Sequence, residues 1–65
     1  MSKLQDIRKS RGMSQSELSR VADVNVRMIQ KYEIGDRDIN KAQALQVYKL
    51  SKALNCDISE LLDIE

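Results

Sequence analysis

The sequence lacks histidine, proline, phenylalanine and tryptophan, and it has only two glycines, two tyrosines and one cysteine in 65 residues. Each absence excludes something. With no His and a lone Cys56, neither a Cys/His metal cage nor an internal disulfide can form. Catalytic routes that rely on a histidine base are closed as well, so no enzyme, metal or cofactor is expected. Without Pro, and with Gly only at positions 12 and 35, turn signals are too sparse for an all-β domain, which needs them every ~8–12 residues. Without Phe or Trp, the core has to be aliphatic. Apolar runs stop at two or three residues, far short of the ~20 that span a bilayer. The segment from Met1 to Asp6 has no apolar stretch of the secretory kind, and a single unpartnered thiol fits a reducing compartment; a cytoplasmic location is expected.

What is present points to a small helical module. At 42% hydrophobic and 32% charged, the chain is richer in aliphatics than a disordered tail. It is long enough for one domain, residues 1–65, burying about 60% of its unfolded surface. Helix-start patterns recur, with Ser, Asn or Asp followed three residues later by Glu or Gln: Ser2/Gln5, Ser14/Glu17, Asn40/Gln43 and Asp57/Glu60. In each, the first side chain can accept from an orphan backbone N–H and the later one can reach back to the cap. Asn25 is a further cap candidate.

Apolar spacing agrees with these starts. Leu4/Ile7, Leu18/Val21/Ala22, Met28/Ile29/Tyr32, Val47/Leu50/Leu54 and Ile58/Leu61/Leu62 each follow a helical rhythm. Gly12, Asp23, Gly35 and Asn55 sit where helices stop and a left-handed residue is needed. The expectation is an all-α, five-helix domain, with helices at about 3–11, 15–22, 26–33, 41–54 and 58–63. The second and third are joined by only Asp23-Val24-Asn25, which is the helix-turn-helix unit, here about 14–33, followed by C-terminal helices at about 41–63.

Three blocks of residues sharpen this reading: Arg8 to Leu18 with Val24, Ile29 to Gly35, and Ala53 to Leu62. At this spacing they resemble the lambda-repressor-like, or Xre-type, helix-turn-helix family, which includes phage repressors and Cro. The similarity covers Leu4 to Leu62. The chain departs from the family pattern at Ser19, Asp23 and Asn55, where Ala, Gly and Gly are usual. The stretch 36–46 is about three residues longer than usual and lacks a frequent Pro.

The resemblance implies a sequence-specific, repressor-like regulator of transcription that binds double-stranded DNA and places its third helix in the major groove. It assigns outward positions to Val26, Arg27, Gln30 and Lys31. The Arg27 fork suits guanine O6 and N7, and Val26 suits a thymine methyl. Met28 is open between core and groove. Gln15 is implied as a phosphate contact where helix two begins, Asn25 as cap and phosphate contact, and Arg37 as a contact from the following loop. Asp36 and Asp38 flank Arg37 where many relatives place Lys or Arg. Arg8 and Glu33 match a family ion pair between helices one and three. Cys56 reads as a small apolar residue.

The net charge of +1 conceals an asymmetry. Residues 1–52 hold all eleven basic residues and six of the ten acidic ones, a balance of +5, whereas residues 53–65 hold four acids and no base. Phosphate binding depends on local charge rather than the total. One copy of such a module touches few base pairs, so a homodimer is expected. Leu62, Ile64, Leu45 and Tyr48, in the C-terminal helices, are either its contact surface or cover for a monomer's core. The alternative function is an antitoxin or adaptor module whose main partner is a protein, for which Asp36, Asp38 and the Val26/Met28 pair speak.

Overall fold

The computed structural model describes residues 2–62. Those residues form α1 (Lys3–Ser10), α2 (Gln15–Ala22), α3 (Val26–Ile34), a 3-10 turn (Ile39–Lys41), α4 (Ala44–Leu54) and α5 (Ile58–Leu61). No strand occurs among them, and no described helix is long and apolar enough to cross a membrane.

Local chemistry explains most of the boundaries. The Ser2 hydroxyl accepts from the Gln5 N–H at 3.1 Å and starts α1. At α2 the box is reciprocal: Glu17 N–H donates to Ser14 Oγ at 3.0 Å, and Ser14 N–H donates to Glu17 Oε1 at 3.2 Å. Asn25 caps α3 by accepting from the Arg27 N–H at 2.8 Å. Ser14→Ala is expected to cost about 1 kcal/mol, as loss of a cap does, while the exposed neighbour Ser16→Ala stays within ~0.5 kcal/mol of the parent. Urea unfolding of the two variants checks this; equal midpoints would contradict the cap.

The stops of α2, α3 and α4 are left-handed. Asp23 has φ +57°, Asn55 has +53° and Gly35 has +82°. At the end of α3, Asp36 N–H donates to Lys31 O and Gly35 N–H to Tyr32 O, the paired bonds that close a helix on a left-handed residue. The end of α4 repeats the arrangement through Cys56 N–H to Ser51 O and Asn55 N–H to Lys52 O.

One start differs from expectation. Asn40/Gln43 does not open a long fourth helix at 41. Instead the Asp38 carboxylate accepts from the Asn40 N–H at 2.9 Å, which turns the chain into the short 3-10 segment. Buried Ile39 pins this segment to the core. The fourth helix begins only at Ala44, with Gln43 at its cap position and no side-chain cap bond. Only the Ile58–Leu61 part of the expected fifth helix is seen, and position 63 lies outside the described residues.

The core is aliphatic. Leu4, Leu18, Ile29, Leu50, Leu54 and Leu61 are fully buried, joined by Ala22, Val24, Tyr32, Ile39 and Val47. Burying each large side chain contributes about 1.5–3 kcal/mol. α2 packs on α3 and α4, α1 on α3 and α5, and α4 on α5. Arg11 ties the end of α1 to the end of α4, its Nε donating to the Leu54 carbonyl at 2.8 Å. Val21 shares the α2 rhythm yet stays 50% exposed, because Leu18 and Ala22 already fill the contact with the core. Cys56 is half-buried against the core. Burial, then the charge of Glu60, pushes its thiol pKa up, so the unreactive protonated form is favoured.

Candidate nucleic-acid interface

The helix-turn-helix unit is held at its turn by Ser19. Its hydroxyl donates to the Val24 carbonyl at 2.6 Å, and its own carbonyl accepts from the Val24 N–H at 3.2 Å. Val24 is thereby plugged into the core. Ser19, which stands where Ala is usual in the family, is therefore a clamp on the turn. Asp23 supplies the left-handed turn, and its carboxylate lies 3.7 Å from Lys49 Nζ on α4.

α3 has two faces. Ile29, Tyr32 and Glu33 point inward and are buried, with Met28 half-buried beside them. At 3.6 residues per turn, Arg27, Gln30, Lys31 and Ile34 share the opposite side. Arg27 and Gln30 are exposed there, and Val26 and Lys31 are half-exposed. Ile34 lies on the same stripe and is 77% exposed, the most exposed of the large apolar residues described. Sequence periodicity carries a signal for it, since Ile34 is seven residues from Arg27, although the expected third helix ends at 33.

Beneath this face lies the ion pair. Arg8 Nε and one terminal nitrogen donate to the two Glu33 carboxylate oxygens at 2.7 and 2.9 Å, and the other terminal nitrogen donates to the Met13 carbonyl at 2.8 Å. The two side chains are 9% and 0% exposed. Hydrogen bonding to Glu33 raises the Arg8 pKa above its ordinary value, more than burial lowers it. The pair fixes the inner side of α3 to α1.

Gln15, half-buried at the start of α2, joins the same cluster. Its Nε2 donates to Glu33 Oε1 at 3.0 Å, and its Oε1 accepts from Gln30 Nε2 across a longer 3.4 Å. The structure thus brings together Arg8, Glu33, Gln15 and Gln30, with Arg27 one turn before Gln30 on the same exposed side. Asn25 spends its Oδ1 on the cap. Arg37 is exposed in the loop after α3, between exposed Asp36 and Asp38.

On the side of α4 away from the core, Leu45 and Tyr48 are 62% and 49% exposed, and Lys52 Nζ sits 5.7 Å from the Tyr48 ring centre. Ala44, Val47, Ile58 and Leu62 border, with Ile39 and Ala42, an apolar groove of about 210 Å³. Leu62 is half-buried and packs on the core; Ile64 lies outside the described residues.

A model of the helix-turn-helix family (HTH_3) matches residues 4–61 of the sequence. Among solved structures, the chain is similar to the restriction-modification controller protein C.AhdI from Aeromonas hydrophila, with 25% identity and a TM-score of 0.81 over 92% of this chain and 86% of that one. No curated protein matches the sequence.

Proposed function

The chain belongs to this helix-turn-helix family, and from that premise we propose how it works as a DNA-binding regulator of transcription. It is a DNA-binding regulator. α3 lies in the major groove of double-stranded DNA. Arg27, Gln30 and Lys31 reach base edges and neighbouring phosphates, and Val26 meets a thymine methyl. Gln15, Asn25 and Arg37 contact phosphates, which position the domain without reading sequence. The observation that carries this reading is the exposed Arg27/Gln30 side of α3 resting on a buried ion pair, a polar surface anchored from below.

The working unit is a homodimer formed through the C-terminal helices, with Leu45 and Tyr48 at its centre. Support comes from two large apolar side chains on the solvent side of α4 and from the apolar groove beside them. A two-fold pair would set the two copies of α3 about one helical turn apart on the DNA. We place this dimer in the cytoplasm, where an unpaired thiol such as Cys56 stays reduced.

Selection of bound duplexes from a random pool, followed by gel shifts at increasing salt, tests the whole reading. Two-fold related half-sites about one helical turn apart are expected, with affinity falling steeply as salt rises. No enriched sequence and no salt dependence would overturn it and favour a protein partner instead.

A further inference from the structure

The two ends of α3 differ in chemistry. Its start carries Asn25, Val26 and the exposed Arg27. Its last residue, Ile34, is an exposed aliphatic side chain that is not part of the core cluster. Ile34 nevertheless shares its stripe with Arg27, Gln30 and Lys31, the side that faces DNA.

This end of the helix is unsuited to a phosphate. The Ile34 side chain has no donor. The backbone N–H of Gly35 donates to the Tyr32 carbonyl, and those of Asp36 and Arg37 donate to the Lys31 carbonyl, so none of the three is left for an anion. The exposed Asp36 carboxylate beside them repels one.

What the major groove offers an aliphatic side chain is the methyl group at C5 of thymine. Methylation of cytosine at C5 places the same group at the same ring position. This methyl projects from the base edge, so a side chain that stays clear of the groove floor still reaches it. Isoleucine suits such a contact. Branching at Cβ makes it stiff about χ1, and its backbone is fixed in the last turn before the Gly35 stop, so little freedom is lost on contact.

We propose that Ile34 reads the C5 methyl of one pyrimidine, thymine or 5-methylcytosine, at the edge of the half-site. Ile34 lies ~10.5 Å along the axis from Arg27, about three base-pair steps of roughly 3.4 Å. The methyl is therefore expected roughly three pairs from the guanine that Arg27 reads. Val26 stands at the opposite end of α3 and meets a different base. The inference rests on the proposed DNA reading of α3.

The test uses the full chain and its selected duplex. Each thymine is replaced in turn by deoxyuridine, which deletes the methyl and keeps the pairing. One replacement, about three pairs from the Arg27 guanine, should lower affinity about four-fold, the worth of one buried methyl-sized group. Ile34→Ala should bind the unmodified duplex less tightly than the parent and should not respond to that replacement, while its response at the Val26 thymine is unchanged. Ile34→Val should keep part of the response. Placing cytosine and then 5-methylcytosine at the same pair separates the two sources. A gain of about four-fold on methylation means that the methyl alone is read; no gain assigns the contact to thymine.

If the parent and Ile34→Ala respond alike to every deoxyuridine, the inference falls while the DNA reading stands. It falls in the same way if selection from unmodified duplexes places no thymine at that distance, or if Ile34→Ala binds every duplex as the parent does. If the parent enriches no sequence, both readings fall together. Ile34 is exposed, so neither variant disturbs the core, and matching circular dichroism spectra confirm that both fold.

Discussion

Arg8→Ala is expected to remove about 3–5 kcal/mol of stability, because it strands the buried carboxylate of Glu33 without its charge partner. At ~0.05–0.15 kcal/mol per residue, a chain of 65 residues has a total of roughly 3–10 kcal/mol. The variant therefore sits at or past the edge of folding. With about 4–8 °C per kcal/mol for a domain of this size, its melting temperature should drop by at least about 12 °C. The neighbouring Lys9 is exposed, and Lys9→Ala should change stability by no more than ~0.5 kcal/mol. Thermal unfolding followed by circular dichroism compares the two; equal melting temperatures would defeat the assignment.

The size of that effect comes from burial rather than from attraction alone. An exposed ion pair contributes only about 0–1 kcal/mol. Here the carboxylate is fully buried and the guanidinium nearly so, and both are hydrogen-bonded within the protein: Arg8 to both Glu33 oxygens and to the Met13 carbonyl, Glu33 also to Gln15. Removing one partner leaves a desolvated charge with little to replace it. The Arg8 pKa is raised. A raised cationic pKa means that its contribution is in full force below the ordinary arginine range and is lost only above it. The arginine side of this contribution is therefore constant across any working pH.

How much of this was legible in the sequence depends on how far apart the partners lie in the chain. The Ser14/Glu17 box and the left-handed Asp23, Gly35 and Asn55 are settled within a few residues, and reading residue types at fixed offsets places them. The fourth helix starts three residues later than its expected position at 41 because two local patterns compete over the same stretch. Asn40/Gln43 resembles a box, but the Asp38 carboxylate reaches the Asn40 N–H first and buried Ile39 holds the turn. The Arg8 and Glu33 contact spans 25 residues, and only the family resemblance suggested it. The Gln15 to Gln30 contact carries no sequence signal, since it depends on how α2 and α3 cross, whereas the Ser19 clamp is local, five residues from Val24, but matches no cap or stop pattern. Ile34 falls outside the expected third helix, 26–33, because Gly35 marks the stop one residue later.

Among the residues of the candidate interface, Arg27 carries the largest expected effect on DNA. Arg8 spends its guanidinium inside the protein, on Glu33 and Met13, and the exposed Arg11 is tied by its Nε to the Leu54 carbonyl. Arg27 differs: its backbone N–H is fixed by Asn25 at 2.8 Å, its side chain is exposed, and among the described residues no carboxylate lies within ion-pair distance of it. It has a fixed base and an uncommitted fork near the N-terminal end of α3, the part that meets base edges. Arg27→Ala should therefore cost about 1–3 kcal/mol of discrimination at one guanine, a loss of roughly 5- to 150-fold in the ratio of affinities for the selected site and its single-base variant. Lys31→Ala should instead weaken all duplexes alike and lower the salt slope by about one, as loss of a phosphate contact does. Both ratios are read from titrations of the selected and substituted duplexes at two salt concentrations. If Arg27→Ala lowers affinity for every duplex by the same factor, Arg27 holds a phosphate, and the guanine-reading role fails even though binding is lost.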